Sequence, residues 1–260
     1  MESYKELIVK YPKNKVDEFI KWYFNNIDKS SYKSESFSFD RKSVRLLKKF
    51  CNTNIPIQQI VGYSMFHGNK FFINKNVLIP RSETEILVDI FLNQVSAGNV
   101  LEIGTGSGCV SSSIYLENKK LSIDATDISN KAIKVAKRNI KSLEVKLNVI
   151  KSDLFKNVDI KKYDYIISNP PYIAYDDDID NSVLNNEPHL ALFADDGGLF
   201  FYKKIIQKSL ENKNIKKCFF EIGSNQKGSL ENYINSIDIH SYKFFKDYSG
   251  NYRVLVLTFN

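Results

Sequence analysis

From residue 99 to the C-terminus, short apolar runs alternate with helix-period stripes, and that alternation restricts the chain more than any other feature. Runs suited to buried strands lie at Val100–Ile103, Leu121–Thr126, Val145–Ile150, Tyr163–Ile167 and Cys218–Ile222. Between them, Ile128, Ala132, Ala136 and Ile140 form one stripe capped by Ser129, and Leu199, Tyr202, Ile206 and Leu210 form another. Short buried strands joined through helices make a parallel sheet covered on both faces. Two further runs, Ser241–Phe245 and Tyr252–Phe259, flank Asp247-Tyr248-Ser249-Gly250 and predict a closing antiparallel hairpin. The expected fold is α/β: a doubly wound sheet of seven strands.

The chain upstream is different. Val16, Phe19, Ile20 and Tyr23 fall on one helical stripe; Val44, Leu47 and Cys51 fall on another that follows Asp40, a plausible N-cap. A Ser-rich loop, residues 30–40, separates them. Residues 61–80 are rich in β-branched and aromatic side chains and predict a β-hairpin turning at Gly68-Asn69, with Phe71 and Phe72 in its core. A helix is expected from Ser82, with Ser82 and Glu85 as a capping box and Arg81 and Glu83 as an ion pair at its start. The expected organisation is a small helical N-terminal domain (1–60), a hairpin linker (61–80) and the sheet domain (81–260).

Hydrophobic residues make up 43% of the 260, enough to fold, yet no apolar run reaches the roughly 18–20 residues of a membrane helix. The first residues, MESYKELIVKYPK, are too polar for a signal peptide, so a cytoplasmic location is expected. Cys51, Cys109 and Cys218 are odd in number and far apart, which argues against a disulfide scaffold or a CxxC zinc site. His67, His189 and His240 have no spacing that suggests a metal or a catalytic base, and no metal is assigned. The net charge, 37 − 30 = +7, fits an acidic or nucleic-acid partner and equally fits lysine as the default solvated residue.

Chemistry concentrates at the strand ends. Leu101-Glu102-Ile103-Gly104-Thr105-Gly106-Ser107-Gly108 ends the first parallel strand and opens a helix. Such glycines let backbone approach a ligand and present N–H donors at a helix N-terminus. The GxGxG pattern lacks the last glycine of the dinucleotide fingerprint and the Lys-Ser/Thr of a P-loop, so a tight turn without a ligand stays open. Asp127, ending the next strand, suits a ribose diol. Asp153 suits an exocyclic adenine amine, with Leu154 against the ring; N-capping is the plainer role for a single aspartate there. Glu102, Asp127 and Asp153 at successive strand ends converge on one crevice.

After the fourth strand comes Ser168-Asn169-Pro170-Pro171-Tyr172. A proline-rich turn can simply stop a strand. In a doubly wound sheet, however, this position borders the ligand crevice. Asn169 offers a side-chain carbonyl, and Pro170, lacking N–H, offers a backbone carbonyl on a stiff chain. Together they can accept both hydrogens of a planar –NH2 group, with Tyr172 over its plane. Such a nitrogen is a poor nucleophile because its lone pair is delocalised. Two acceptors return electron density to it, and a sulfonium methyl held in line can then be attacked.

This combination resembles the class I S-adenosylmethionine-dependent N-methyltransferases, which act on base amines in DNA or on protein glutamine amides. Gly62-Tyr63, Phe66, Gly68 and Phe71, followed by Val77-Leu78-Ile79-Pro80-Arg81-Ser82-Glu83-Thr84-Glu85, look like the signature ahead of the cofactor domain in the release-factor glutamine methyltransferases (HemK/PrmC family). Glu187-Pro188, Ala191-Leu192, Gly197-Gly198-Leu199, Tyr202, Glu221-Ile222-Gly223, Gln226, Asp247-Tyr248-Ser249-Gly250 and Arg253-Val254 continue the pattern over about residues 55–260. Ser82 stands where the family usually has proline, and Leu154 where it often has an aromatic. The helical N-terminus matches only in character and is short for the family's substrate-binding domain.

The resemblance implies a Rossmann-like methyltransferase sheet and transfer of a methyl group to N5 of the glutamine in the Gly-Gly-Gln loop of peptide chain release factors. Asn169, Pro170 and Tyr172 would be catalytic, and with Pro171 would bind the substrate. Glu102, Gly104, Thr105, Gly106, Ser107, Gly108, Asp127, Asp153, Leu154 and Asn169 would hold S-adenosylmethionine. Release factors would be the partners of a monomer, with no membrane and no stable nucleic-acid partner. The alternatives are an amino-group methyltransferase on nucleic acid, a glutamine methyltransferase on a ribosomal protein, and a non-catalytic binding protein. A DNA base reader would need a target-recognition domain for which no segment here is long enough.

Overall fold

A computed structural model describes residues 2–23 and 38–259. The chain forms two compact units, Met1–Tyr63 with Asp180–Asn186, and Ser64–Ile179 with Glu187–Asn260.

The first unit holds β1 (Glu2–Ser3), α1 (Tyr4–Lys10), α2 (Lys13–Tyr23), β2 (Ser38–Phe39), α3 (Arg41–Asn52) and α4 (Ile57–Val61). Strands β1 and β2 pair antiparallel. Val16, Phe19 and Ile20 are buried as their spacing requires. Asp40 caps α3 by accepting from the Ser43 amide at 2.7 Å. The buried face of α3 runs through Ser43, Leu47 and Phe50, rotated from the expected stripe, so Val44 and Cys51 are only half-buried. The Ser-rich loop expected at 30–40 lies outside the described residues as far as residue 37.

The hairpin joins β3 (Tyr63–Phe66) and β4 (Asn69–Phe72). Its turn is His67-Gly68, one residue earlier than expected, with φ of 47° and 73°. A two-residue turn that matches strand twist needs positive φ at both central residues, and glycine at the second supplies one of them. Phe71 is fully buried; Phe72 is half-buried beneath the Arg138 guanidinium, 3.4 Å from its centroid.

In the second unit, α5 (Ser82–Leu92) is capped by Arg81 without a side-chain hydrogen bond, and the expected capping box is not formed. Ser82 is already helical and donates to Glu83, while Glu85 reaches back to accept from the His67 amide at 2.8 Å. Beyond it come β5 (Gly98–Ile103), α6 (Cys109–Glu117), β6 (Leu121–Asp127), α7 (Asn130–Ser142), β7 (Asn148–Lys151) and β8 (Tyr165–Ser168). After α8 (Asn181–Asn186), which belongs to the first unit, follow α9 (Phe200–Leu210), β9 (Lys217–Glu221), α10 (Lys227–Ile234), β10 (Ser241–Lys246) and β11 (Tyr252–Thr258).

Seven strands form one sheet in the order β10-β11-β9-β8-β5-β6-β7. β9, β8, β5, β6 and β7 run parallel; β11 pairs antiparallel with β9 and with β10. The strand order reverses between β5 and β8, which opens a crevice at their carboxyl ends. Alternate residues divide between the faces: Val100, Ile167, Phe219, Val254 and Val256 pack under α5 and α6, while Leu101, Ile166, Cys218, Phe220, Leu255 and Leu257 pack under α9 and α10. β7 starts at Asn148 rather than Val145 because Glu144, at φ 55°, turns the chain and the Val145 amide closes the end of α7 on Ile140. β8 starts at Tyr165 because Tyr163 closes a turn on Ile160 and donates its hydroxyl to Asp124 at 2.7 Å. Ile128 precedes the cap of α7 and is 50% exposed, so it is not part of that helix's core stripe. Among the described residues no helix is long and apolar enough to cross a membrane.

Candidate active site

The carboxyl ends of β5, β6, β7 and β8 surround a cavity of about 400 Å³, within the range of small-molecule sites. Its lining includes Glu102, Gly104, Thr105, Gly106, Ser107, Asp127, Asp153, Leu154, Asn169, Pro170 and Pro171. Residues remote in sequence therefore share one wall, because a parallel sheet brings every strand's carboxyl end to the same edge. Gly108 and Tyr172 do not line it.

The glycine loop is positioned from both ends. Gly104 and Thr105 donate their amides to the Thr126 carbonyl at 2.9 and 2.8 Å, and Gly106 donates to Asp127 Oδ2 at 2.9 Å. Gly104 and Gly106 have φ of 77° and 56°, and a Cβ on either would meet nothing within 4 Å. Their left-handed conformation favours glycine, and the absence of a side chain leaves the cradle open. Gly108 caps α6 at φ 79°, where a Cβ would come within 3.3 Å of Ala136. Asn139, on the buried face of α7, donates to the Ser107 and Phe72 carbonyls and accepts from the Phe72 amide. It ties loop, helix and hairpin together. The signal for it was a lone asparagine inside an apolar stripe.

Glu102 is buried, and one of its oxygens accepts from the Thr105 hydroxyl at 2.5 Å and from the Ser111 hydroxyl. Burial raises its pKa. Asp127 accepts from the Gly106 and Ser129 amides through separate oxygens, and each oxygen keeps a lone pair for hydroxyl donors. Burial raises the Asp127 carboxyl as well. Asp153 pairs with Lys156 at 2.6 Å. Leu154 sits at φ 49°, an uncommon conformation for leucine, while its carbonyl accepts from the Ser152 hydroxyl at 2.7 Å. A diol, an amine and an apolar ring thus have complementary groups in the cavity, which fits a nucleoside.

At the β8 end, Ser168 donates to the Ile103 carbonyl at 2.7 Å, and Asn169 Nδ2 donates to Thr84 Oγ1 at 3.3 Å. That bond occupies the amide nitrogen and leaves Oδ1 as the acceptor. The Tyr172 ring packs against the core beneath α9. Its carbonyl accepts from Gln226 Nε2 at 2.9 Å, and Gln226 Oε1 accepts from the Gly223 amide at 2.9 Å. Gly198 lies against the same carbonyl: a Cβ there would be 2.1 Å from Tyr172 O. Arg81 pairs with the buried Glu187, rather than with Glu83, and Glu187 also accepts from the Ile79 amide at 2.9 Å. The motifs that contain Thr84, Glu187 and Gln226 give these residues no role by themselves. Their partners Asn169, Ile79 and Tyr172 lie about 50 to 110 positions away, so local pattern could not assign them.

A family model described as Methyltransferase small domain matches residues 81–201. A Release factor glutamine methyltransferase of Mycoplasma mycoides subsp. mycoides is 35% identical over 253 residues, covering 93% of this chain and 88% of that one. A Bifunctional methyltransferase of Rickettsia conorii is 31% identical over 275 residues, covering 94% of this chain; the chain spans only 52% of that relative's length. Among solved structures, the hMettl16 catalytic domain in complex with MAT2A 3'UTR hairpin 6 superposes with a TM-score of 0.59 at 19% identity, covering 86% of this chain and 84% of that one, and shares the fold. The crevice at the reversal of strand order, its glycine loop and the Asn-Pro-Pro-Tyr turn are thus set in a chain that belongs to the release factor glutamine methyltransferase family.

Proposed function

We propose that the protein transfers a methyl group from S-adenosylmethionine to the glutamine side-chain nitrogen of the Gly-Gly-Gln loop of peptide chain release factors. The observation that carries this reading is the Asn169–Thr84 hydrogen bond, which leaves Asn169 Oδ1 free to accept. The names of the similar proteins support the same substrate.

Bound S-adenosylmethionine supplies an electrophilic methyl carbon on a sulfonium. Asp127 holds the ribose hydroxyls, the Gly104–Gly108 loop borders the amino-acid end, and Asp153 and Leu154 meet the adenine. Glu102 fixes the loop by gripping the Thr105 and Ser111 hydroxyls. Asn169 Oδ1 and the Pro170 carbonyl accept the two hydrogens of the substrate carboxamide, and Pro171 keeps that backbone stiff. The Tyr172 carbonyl, braced by Gln226, sets the turn. Acceptors built in advance raise electron density on nitrogen without reorganisation during the reaction; the C–S electron pair would stay on sulfur, and the methylated amide, strongly acidic at nitrogen, would release one proton to water, so the site needs no strong base.

We assign the helical N-terminal unit to release-factor recognition, the protein to the cytoplasm and its working form to a monomer. Three cysteines free of disulfides support the compartment. Incubation with labelled cofactor and a release factor, beside a version with the loop glutamine changed to alanine, tests the reading. Label is expected only in the former; equal labelling of both overturns it. The charge of +7 favours one competing reading, methylation of a base amine, which requires labelled nucleic acid and unlabelled release factor in the same assay.

A further inference from the structure

We propose that Glu221 is a positioning residue that acts through Thr84 to keep the Asn169 carboxamide oxygen turned toward the substrate; the inference rests on the reading of Asn169 as the substrate's acceptor. Glu221 ends β9, and Asn169 follows β8. The two strands pair in parallel with Ser168 opposite Phe220, so each residue lies one step beyond that pair. Thr84, buried on α5, lies between them: it accepts from Asn169 Nδ2 at 3.3 Å, and its hydroxyl is near enough to the Glu221 carboxyl to lower that group's pKa.

A hydroxyl has one proton, and that makes the chain directional. An asparagine end group presents either N–H or C=O to the cavity with little steric difference. An ionised carboxylate only accepts, so Thr84 must donate to Glu221, and Thr84 Oγ1 is left to accept from Asn169. The amide nitrogen is thereby committed and the oxygen faces the substrate. If Glu221 takes a proton, it can donate to Thr84. Thr84 is then free to donate to Asn169, and the carboxamide can turn its –NH2 group inward, where it repels the substrate's own N–H bonds.

Glu221 is 2% exposed, and its second oxygen has no hydrogen-bond partner among the described residues. A buried carboxyl with an unsatisfied oxygen costs stability. The groups that face it come from every neighbouring element. Arg253 of β11 and Arg81 before α5 favour its charge, whereas Glu83 of α5 opposes it. Tyr172 and Tyr202 face it as neutral phenols, their own pKa values raised by burial. Burial dominates, and the carboxyl is pushed up to about 7.

The test is kcat for release-factor methylation measured from about pH 5.5 to about pH 9 in the full chain and three variants. The parent is expected to lose rate on the acid side with a midpoint near the carboxyl's value of about 7. In Glu221→Gln, whose side chain cannot titrate, that limb disappears. Thr84→Val lowers kcat about tenfold with cofactor Kd retained, and Thr84→Ser recovers most of the loss. An acid limb that persists in Glu221→Gln overturns the proposal, as does a Thr84→Val enzyme with parental kcat. If thermal unfolding shows that Thr84→Val is not folded, the Glu221→Gln profile decides alone. A parent that never labels the glutamine refutes the substrate reading itself, a result distinct from a variant that behaves like an active parent.

Discussion

Gln226 and Tyr172, more than 50 positions apart, meet through a hydrogen bond of 2.9 Å from the glutamine side-chain amide to the tyrosine carbonyl. The same glutamine accepts from the Gly223 amide and donates to the Gly198 carbonyl, so three loops close behind the Asn-Pro-Pro-Tyr turn. Gly198, at φ 82°, has no room for a Cβ against that carbonyl. Gly198→Ala should therefore destabilise the fold by about 3 kcal/mol, read by chemical denaturation. Gln226→Ala should lower kcat about tenfold more than it weakens cofactor binding, because it loosens the turn rather than the glycine loop.

Asn169→Ala should reduce kcat by about a hundredfold to a thousandfold, the scale of losing one preorganised polar contact to a reacting group. The Thr84 hydroxyl keeps its acceptor in Glu221, so the fold should survive. Isothermal titration with S-adenosylmethionine should give a much smaller change than the rate assay. Normal turnover would refute the assigned role.

Asp127→Asn should weaken cofactor binding by about tenfold to a hundredfold. An amide in place of the carboxylate sets –NH2 against the Gly106 or the Ser129 amide, which now donate to separate oxygens. Titration calorimetry checks it, and unchanged affinity would remove Asp127 from the ribose.

Arg81→Met should cost about 3 kcal/mol, because it leaves the wholly buried Glu187 side chain with the Ile79 amide as its remaining donor. Adding Glu187→Leu should recover part of that loss. Additive losses in thermal unfolding would show that the two residues do not act as a pair.

Stability should also fall as pH rises from about 4.5 to about 7. Folded Glu221 holds its proton up to about 7, against 4.5 in its unperturbed state, so the native chain binds the extra proton between these values. Its contribution is fully present below 4.5 and is lost by about 7, an overall change of about 3 kcal/mol. Glu102 is raised by burial too and adds a fall of the same sign. The difference between the parent and Glu221→Gln, measured by denaturation at several pH values, isolates Glu221; parallel curves would show that it does not titrate in this window.

Local physics made much of this protein legible in one dimension. Apolar runs with period two and stripes with period 3.6 foretold a doubly wound sheet, since each element must bury one face whatever its neighbours are. The strand ends carrying Gly104, Asp127, Asp153 and Asn169 could be read as one crevice for the same reason: parallel strands share an edge. Details that depend on a few degrees of backbone or on competing partners were out of reach. The hairpin turn settled on His67-Gly68, both at positive φ, and Glu85 left its expected cap for the His67 amide. Packing alone decided that Arg81 meets Glu187, that Gln226 braces Tyr172 and that Asn169 meets Thr84. A hydrogen bond has no memory of sequence distance; it forms where folding has brought a buried donor and an acceptor that water can no longer satisfy.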